Sequence, residues 1–341
     1  MLDCVYRLVA PRTFEPVQLE ASRGPESITV RPTHLSICNA DQRYYQGTRN
    51  EKALNDKLPM ALIHEGIGTV VEDPTGAFER GSHVVIIPNE PVEQSDCIAE
   101  NYLYSSRFCG SGCDGFMQEY LVLGPARAIA LPGPINKDVA AFTELVSVAT
   151  HALRRFDQIA HHRRSVLGVW GDGNVGFIVS LLLRMVYPEA RVIVFGRNTH
   201  KLVDFTFVDE TYLGNEIDVL PPVDHAFECC GGVGSASALD QIIESINPEG
   251  TISLLGVSEN AVPINTRMIL EKGLRMFGSS RSGRDDFLQT MQWYKEYPLI
   301  LNYLGSLVEN IVDVRSILDI VAAFELDSRK AMGKTILHWN I

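Results

Sequence analysis

The sequence predicts an α/β protein in which a doubly wound parallel sheet is joined to a β-rich unit, and three observations support this prediction. Residues 26–130 consist of short β-like runs separated by Gly and Pro, as in irregular β-rich units. From about residue 140 the pattern changes to strand, helix, strand at roughly 20 to 30 residues per repeat, which is typical of βαβ units with parallel strands. A G-x-G-x-x-G turn at 171–176 joins one of these strands to a helix, as in doubly wound sheets.

The individual elements follow from the same patterns. In the β-rich part, strands are expected at 27–31, 68–72, 83–88 and 119–122. In the parallel part, strands are expected at 165–170, 191–195, 224–229, 251–255 and 274–277, with a helix at 175–186. The last stretch contains helical runs at 285–297 and 314–325 and a strand at 334–339. We expect this final strand to rejoin the N-terminal unit.

The length and charge of the chain limit its architecture and its partners. A chain of 341 residues corresponds to about two domains and buries a sizeable core without disulfides. Hydrophobic residues make up 45% of the chain and charged residues 21%, which excludes wholesale disorder. The net charge of −12 repels nucleic-acid phosphates, so we expect no nucleic-acid partner.

Targeting signals and cysteine pairs are not evident in the sequence. The N-terminus has no charged segment followed by an apolar one, and no apolar run approaches the roughly 18 residues of a membrane helix. The seven cysteines are an odd number without a repeated C-x-x-C, which disfavours a disulfide framework. We therefore expect a cytoplasmic protein without membrane insertion, whose functional cysteines are metal ligands.

The glycine-rich turn predicts a dinucleotide site, because the strand SVLGVW leads directly into it and an apolar helix follows. The first glycine permits a tight turn, the second lets the backbone approach a pyrophosphate, and the third allows close packing of helix and strand. The helix N-terminus adds N–H groups and a positive dipole end. A glycine-rich turn without a ligand is the alternative. The loop residues predicted to bind the cofactor are Gly171, Gly173, Asn174, Val175 and Gly176.

The turn after the next strand indicates which dinucleotide is bound. Folds that bind NAD place a carboxylate about 20 residues further on, where it accepts hydrogen bonds from the ribose hydroxyls. Here the strand RVIVF ends without a carboxylate, and Gly196 leaves room for a 2′-phosphate. Arg197, with Thr199 or Lys201, can bind that phosphate through charge-assisted hydrogen bonds. The turn therefore favours NADPH, with a solvated basic turn as the alternative.

Four residues have the chemistry of a metal site: Cys38, His64, Glu65 and Glu144. A thiolate, an imidazole and a carboxylate together suit zinc, and a catalytic zinc keeps three protein ligands and one open position. Taken alone, each residue has an ordinary explanation, as a small core residue, a hydrogen-bonded histidine or a charge at a helix N-terminus. Beside a dinucleotide loop, the combination predicts one catalytic zinc.

The order of the motifs ICNAD, HEGIG, TELVSVATHA, GDGNVG and LLGVS resembles that of the zinc-dependent medium-chain alcohol and polyol dehydrogenase family, over essentially the whole chain. The resemblance implies a GroES-like catalytic domain at 1–148, completed by 283–341. It implies an inserted Rossmann dinucleotide-binding domain at 149–282.

The same resemblance assigns roles to the four candidate residues. It implies that Cys38, His64 and Glu144 are the catalytic zinc ligands. It implies that Glu65 is a carboxylate that can exchange onto the metal, so that Glu65 belongs to the first or second shell of ligands.

Two departures from the family pattern change the expectation. The family often carries four closely spaced cysteines that bind a structural zinc, whereas Cys97, Cys109 and Cys113 lack that spacing and a fourth ligand. We therefore expect no structural zinc. The family also places Ser or Thr two residues after the zinc cysteine as a proton relay, where this sequence has Ala40. A water held by one of the two glutamates of the site is expected to replace that relay.

A narrower resemblance concerns the substrate. The segments ICNADQRYYQGTRN, WGDGNVGF and GSSRSGRDDF are similar to those of the ribulose 5-phosphate reductases, or ribitol-5-phosphate dehydrogenases, of bacterial teichoic acid and capsule synthesis. Independently, Arg43 and Arg49 follow the zinc cysteine, and Arg281 follows the strand LRMF. Arginines near a zinc site suit a phosphorylated sugar. A surface salt bridge is the alternative for each arginine.

The resemblance implies NADPH-dependent, zinc-assisted reduction of D-ribulose 5-phosphate to D-ribitol 5-phosphate, a precursor of CDP-ribitol, and a cytidylyltransferase as a partner. The apolar strand at 274–277 should form a sheet edge, and family members pair these strands across a two-fold axis, which predicts a homodimer. Two other functions stay open. One is an NAD-dependent dehydrogenase of an unphosphorylated polyol, and the other is a zinc-free NADPH-binding protein with a structural role.

Overall fold

The computed structural model describes residues 2–217 and 219–341, and contacts between residues divide the chain into two compact units. We call them the split unit, which contains the residues up to Leu145 together with Ser282–Ile341, and the central unit, Val146–Arg281. The chain therefore leaves the split unit once and returns to it.

The N-terminal part of the split unit is mainly β structure. Its strands are β1 (Leu2–Ala10), β2 (Thr13–Glu20), β3 (Ile28–Ser36), β4 (Met60–Ala61), β5 (Glu65–Glu72), β6 (His83–Ile86), β7 (Asn89–Glu90), β8 (Arg107–Phe108), β9 (Leu121–Leu123) and β10 (Ala128–Ala130). Its helices are α1 (Asn39–Tyr45), α2 (Glu51–Lys57) and α3 (Lys137–Ala140), and α4 (Thr143–Ile159) continues into the central unit.

The central unit alternates strands and helices. Its strands are β11 (Val166–Trp170), β12 (Arg191–Gly196), β13 (Glu210–Leu213), β14 (Val223–Glu228), β15 (Ile246–Leu254) and β16 (Arg275–Gly278). Its helices are α5 (Asn174–Val186), α6 (Thr199–Leu202), α7 (Ser235–Ser245) and α8 (Thr266–Lys272). The strands form one parallel sheet in the order β13-β12-β11-β14-β15-β16. The order reverses direction beside β11, and ligands of doubly wound sheets bind at such a point.

The C-terminal part returns to the split unit. Its elements are α9 (Arg284–Glu296), α10 (Leu299–Gly305), β17 (Val308–Val314), α11 (Ile317–Asp327) and β18 (Lys334–Trp339). Strand β18 lies between β3, with which it is antiparallel, and β17, with which it is parallel. The larger sheet of the split unit thus runs β10-β6-β5-β3-β18-β17. The predicted return of the last strand is confirmed.

The predicted α/β fold, with a doubly wound sheet beside a β-rich unit, is confirmed, and the last expected helix is present with a later start. The helical run expected at 314–325 begins only at Ile317, because Ser316 caps the helix by accepting a hydrogen bond from the backbone N–H of Asp319. The preceding residues form β17 instead. Its sequence, VENIVDV, alternates apolar and polar side chains along most of its length, which is the pattern of a half-buried strand.

Candidate functional site

Three predicted site residues of the split unit come together at the ends of strands. Cys38 follows β3 and caps α1, His64 follows β4, and Glu65 is the first residue of β5. One ligand atom from each lies within 4.8 Å of the others. A thiol, an imidazole and a carboxylate at this separation form a donor set that suits zinc.

The buried carboxylate of Asp41 fixes the backbone on both sides of this cluster. It accepts hydrogen bonds from the N–H groups of Cys38 at 2.9 Å and Ile63 at 3.0 Å. Ile63 has φ +69°, a conformation that costs about 1–3 kcal/mol in a β-branched residue and is found at functional sites. The Asp41 carboxylate also lies 3.6 Å from Nδ1 of His64, which is within ion-pair range but beyond hydrogen-bond distance.

The electrostatics of His64 follow from the same neighbours. Complete burial alone would lower the pKa of the imidazole, but the carboxylate of Asp41 and the sulfur of Cys38 raise that pKa well above its usual value. The surroundings of His64 therefore favour a positive charge at this position. A divalent cation would supply such a charge.

Glu65 is held by two side chains that the sequence did not single out. Lys334 of β18 lies 2.8 Å from Oε1 of Glu65 and 2.7 Å from Oε2, and Ser36 of β3 donates its hydroxyl to Oε2 at 2.8 Å. The side chains of Lys334 and Glu65 are only 2% and 0% exposed. Burial lowers the pKa of Lys334, but the carboxylate of Glu65 outweighs this effect and the net pKa is raised. Lys334 is therefore a buried cation paired with Glu65.

Glu144 lies in the first turn of α4 and is also buried. Burial and the charge of Glu65 raise the pKa of its carboxyl group, and the charge of His64 lowers it. The net effect is a pKa raised to about 7. Glu144 is thus within electrostatic reach of the cluster, although the set of ligand atoms within 4.8 Å contains only Cys38, His64 and Glu65 among the described residues. A carboxylate in such an environment fits a metal ligand, because a cation would stabilise its charged form.

The glycine loop of the central unit has the geometry that a pyrophosphate needs. Gly171 has φ +136°, and a Cβ there would lie 2.8 Å from the backbone of Cys229. A Cβ on Gly176 would lie 1.9 Å from the carbonyl oxygen of Gly171, so only glycine allows this packing. By contrast, no atom lies within 4 Å of a Cβ placed on Gly173, which caps α5. The loop therefore leaves an open space at a helix N-terminus, where anions bind.

Asp172, inside this loop, holds the turn that follows β12. Its Oδ2 accepts hydrogen bonds from the N–H groups of Arg197 at 2.7 Å and Asn198 at 2.8 Å. A Cβ on Gly196 would lie 2.8 Å from the Cβ of Asp172, so a side chain at Gly196 would displace the loop. Arg197 is exposed, and its Nη2 lies 3.7 Å from where a Cβ on Gly234 would be.

The remaining predicted cofactor residues border the same loop and turn. Thr199 and Lys201 belong to α6, which follows the turn. Asn174 and Val175 form the first turn of α5 and are half-buried.

The three predicted phosphate-binding arginines belong to different parts of the chain. Arg43 lies in the last turn of α1 and is half-buried. The guanidinium of Arg49 stands 4.9 Å from the ring centroid of Tyr44. Arg281 ends the central unit, with φ +59°. The phosphate-binding role of these arginines stays a prediction.

Of the cysteines at 97, 109 and 113, the last two lie close together. Cys109 and Cys113 lie with Glu90, with one ligand atom from each within 4.8 Å of the others, and Cys97 is exposed. A hydrogen bond between the two thiols lowers the pKa of Cys113 and raises that of Cys109. The sequence analysis missed Glu90, which precedes them by about 20 residues, because its proximity depends on the pairing of β7 with β8. The expected absence of a structural zinc stays a prediction.

Comparisons with known proteins show which family this chain is similar to. The alcohol dehydrogenase GroES-like domain matches residues 24–133, and the zinc-binding dehydrogenase domain matches residues 175–296. Ribulose-5-phosphate reductase of Bacillus spizizenii is 53% identical over 100% of both chains. Ribulose-5-phosphate reductase 2 of Staphylococcus aureus is 50% identical over 100% of both chains. A crystal structure of S. aureus TarJ in complex with NADPH has a TM-score of 0.89 and 44% identity, and the match covers 100% of each chain.

The fold, the ligand cluster and the two matched domains define a zinc-binding medium-chain dehydrogenase, which is an oxidoreductase. Within that class, the chain belongs to the ribulose-5-phosphate reductase family.

Among the described residues, no helix is both long enough and apolar enough to cross a bilayer.

Proposed function

We propose that the protein reduces D-ribulose 5-phosphate to D-ribitol 5-phosphate with NADPH and one catalytic zinc. The observation that carries this proposal is the 53% identity to a ribulose-5-phosphate reductase over the full length of both chains. The product would supply CDP-ribitol for teichoic acid or capsule polymers. We place the reaction in the cytoplasm. The proposed catalytic domain consists of residues 1–148 and 283–341, and the proposed dinucleotide-binding domain of residues 149–282.

The dinucleotide is proposed to bind to the central unit. The open space at Gly173 would take the pyrophosphate, and the turn fixed by Asp172 would present Arg197 to the 2′-phosphate. The carboxylate of Asp172 holds this turn in place by accepting hydrogen bonds from the backbone N–H groups of Arg197 and Asn198. The NADPH complex of S. aureus TarJ supports this choice of cofactor.

Cys38, His64 and Glu144 are proposed to hold the zinc, with Glu65 beside it. When bound, zinc would supply Lewis-acid polarisation of the C2 carbonyl, and NADPH would supply the hydride that reduces C2 while the cofactor is oxidised to NADP⁺. Asp41 would orient the imidazole through Nδ1. Lys334 would balance the charge of Glu65, so that the site does not contain an excess of buried anions.

The proton that completes the alcohol needs a path other than residue 40, because Ala40 has no donor. A carboxylate offers about four acceptor positions, and Ser36 and Lys334 make three contacts with Glu65. We place the proton-carrying water on the remaining position of Glu65. The oxygen formed at C2 would take its proton from that water, which is replenished from solvent.

The phosphate of the substrate is proposed to bind to Arg43, Arg49 and Arg281. A dianion held at one end of a five-carbon chain would position C2 as well as raise affinity.

Two assembly proposals accompany this function. Strand β16 is an edge of the sheet in the central unit, and we propose that it pairs with its copy in a homodimer, because an apolar edge needs cover. We also propose a cytidylyltransferase as the partner that takes over the product. A monomeric mass at micromolar concentration would contradict the dimer.

The deciding experiment measures NADPH oxidation with ribulose 5-phosphate and with ribulose under identical conditions, and repeats both with NADH. We expect a preference of about 10²-fold or more in kcat/KM for the phosphorylated sugar, since remote binding energy is lost without the phosphate. Equal efficiency with ribulose and NADH would favour an NAD-dependent polyol dehydrogenase instead.

The zinc assignment has its own measurement. Purified protein should contain one tightly bound equivalent of zinc that depends on Cys38. Cys38→Ser should lose this equivalent, while Cys97→Ser, at an exposed position, should retain it. Protein that reduces the sugar without zinc would contradict this part of the proposal.

A further inference from the structure

A second group of possible metal ligands lies in the split unit and has no part in the proposed reaction. His34 of β3, His338 of β18 and Asp138 of α3 each place a ligand atom within 4.8 Å of the other two. All three residues are half-buried, so a cation from solvent can reach them. We call these three residues the histidine cluster.

The strand register brings the two histidines together. His34 is directly opposite His338 in the antiparallel β3–β18 pair, and the ring centroids are 4.7 Å apart. In the neighbouring β17–β18 pair, Asp313 is opposite His338. Cross-strand neighbours on one face lie close enough for their side chains to share a ligand.

The partners of each ring indicate which nitrogen would face a cation. Nε2 of His338 lies 2.8 Å from Oδ1 of Asp138, and Nδ1 of the same ring lies 3.3 Å from Oδ1 of Asp313. Nδ1 of His34 lies 3.1 Å from the hydroxyl of Thr33. Each ring thus has an oxygen partner at Nδ1. Metal-binding histidines usually make such a contact through the ring nitrogen that does not bind the metal. Nε2 of both rings, with a carboxylate oxygen of Asp138, would then form the ligand set.

The charges around the cluster also suit a cation. Two carboxylates, of Asp138 and Asp313, face the imidazoles. Outside the cluster, Lys137 and His83 are the groups whose positive charge opposes these carboxylates at His34.

The cluster is separate from the Cys38–His64–Glu65 group. Lys334 and His338 are four residues apart on β18, and Ser36 and His34 are two residues apart on β3. At about 3.3 Å per residue these separations are about 13 Å and 7 Å, on the same face of the sheet. One ion cannot bind both groups, since metal–ligand bonds are about 2.0–2.3 Å long.

We propose that His34, His338 and Asp138 bind a second divalent transition-metal ion, with Asp313 orienting His338. Two imidazoles and a carboxylate select zinc and its neighbours over magnesium or calcium, which prefer oxygen ligands. Because its ligands belong to three elements, the ion would link β18, which carries Lys334, to β3 and α3. Its role would be to stabilise the returning C-terminal strand.

The test compares the number of zinc ions bound by variants at the same free Zn²⁺ concentration. Metal-depleted protein is dialysed against a series of buffered Zn²⁺ concentrations, and bound zinc is measured by elemental analysis. His34→Asn and His338→Gln should each bind one equivalent less than the unmodified chain over part of this range. Asp313→Asn should still bind this zinc ion but about 10- to 100-fold more weakly, as expected when a residue that orients a metal ligand is changed.

Two controls separate this ion from the others. His83→Asn removes a nearby histidine outside the cluster and should bind as much zinc as the unmodified chain. Cys109→Ser changes the Glu90–Cys109–Cys113 group and should leave the His34-dependent equivalent in place. If His34→Asn and His338→Gln both bind as much zinc as the unmodified chain at every concentration, the proposal is wrong. A failure of the proposed reductase activity would not produce that result.

Discussion

Replacement of Lys334 by methionine removes the cation that faces Glu65 while nearly preserving the length of the side chain. In the folded chain Lys334 and Glu65 are 2% and 0% exposed and 2.7 Å apart. Removing one partner of a buried ion pair costs about 3–5 kcal/mol, because the remaining charge is left uncompensated. Ser36 would still donate one hydrogen bond to Glu65, but a hydroxyl does not neutralise a charge. We therefore expect Lys334→Met to lower the free energy of unfolding by about 3 kcal/mol at pH 8.

The loss should depend on pH and on the charge at residue 65. The variant can relieve the buried charge by protonating the carboxylate, so the loss should be smaller at pH 5 than at pH 8. For the same reason, Glu65→Gln in the Lys334→Met background should recover most of the stability, since the double variant contains no buried charge in this pair.

The assay is urea unfolding of metal-depleted protein at pH 5 and pH 8, followed by circular dichroism and checked for an unchanged dependence on urea. Arg12→Met is the matched control. It breaks the Arg12–Glu325 pair, whose side chains are 58% and 31% exposed, and should cost no more than about 1 kcal/mol. The reasoning is refuted if Lys334→Met costs no more than Arg12→Met. It is also refuted if the double variant is as unstable as Lys334→Met alone.

Three further predictions address the cofactor, the substrate and the pH dependence of stability. Arg197→Ala should reduce the preference for NADPH over NADH by about tenfold or more, the effect of one charge-assisted hydrogen bond of about 1.5–3 kcal/mol; an unchanged ratio of kcat/KM values would contradict this. Arg43→Ala should lower kcat/KM for ribulose 5-phosphate by about 10²-fold and leave that for ribulose unchanged; full efficiency with the phosphorylated sugar would count against phosphate binding there. Burial, together with the charge of Glu119, raises the pKa of Asp3 to about 6, so its contribution to stability is present below about pH 4 and is lost as the pH rises through about 6. Asp3→Asn should therefore stabilise the protein by about 1–2 kcal/mol at pH 8 and by little at pH 4, and equal gains at both values in urea unfolding would contradict this.

The features that the sequence predicted well depend on local patterns. The glycine loop lies where expected because the strand, the turn and the helix are contiguous, and the steric need for Gly176 arises from Gly171, within six residues. Cys38, His64 and Glu65 were predicted from residue type and from resemblance, and the structure brings them together. The residue types reveal the chemistry of these side chains, whereas their proximity depends on the fold.

The features that were missed depend on contacts between distant residues. Lys334 looks like an ordinary lysine at the start of a strand, and its burial follows from pairing of β18 with β3, which puts it beside a carboxylate 269 residues away. Asp41 belongs to the motif ICNAD, but its structural role is to accept a hydrogen bond from the N–H group of Ile63, 22 residues further on. No local pattern marks this burial, because Lys334 is the first residue of its strand, KTILHW, where a lysine is ordinarily exposed.

The position of β18 explains why the split unit needs both ends of the chain. This strand lies between β3 and β17 and not at an edge of the sheet, so the N-terminal part alone would leave β3 without a neighbour on that side. It also carries Lys334 to Glu65. Without β18, Glu65 would remain as a buried carboxylate beside Cys38 and His64 and would lose the lysine that is paired with it. The C-terminal return thus completes the sheet and compensates the charge of the candidate metal site through the same six residues.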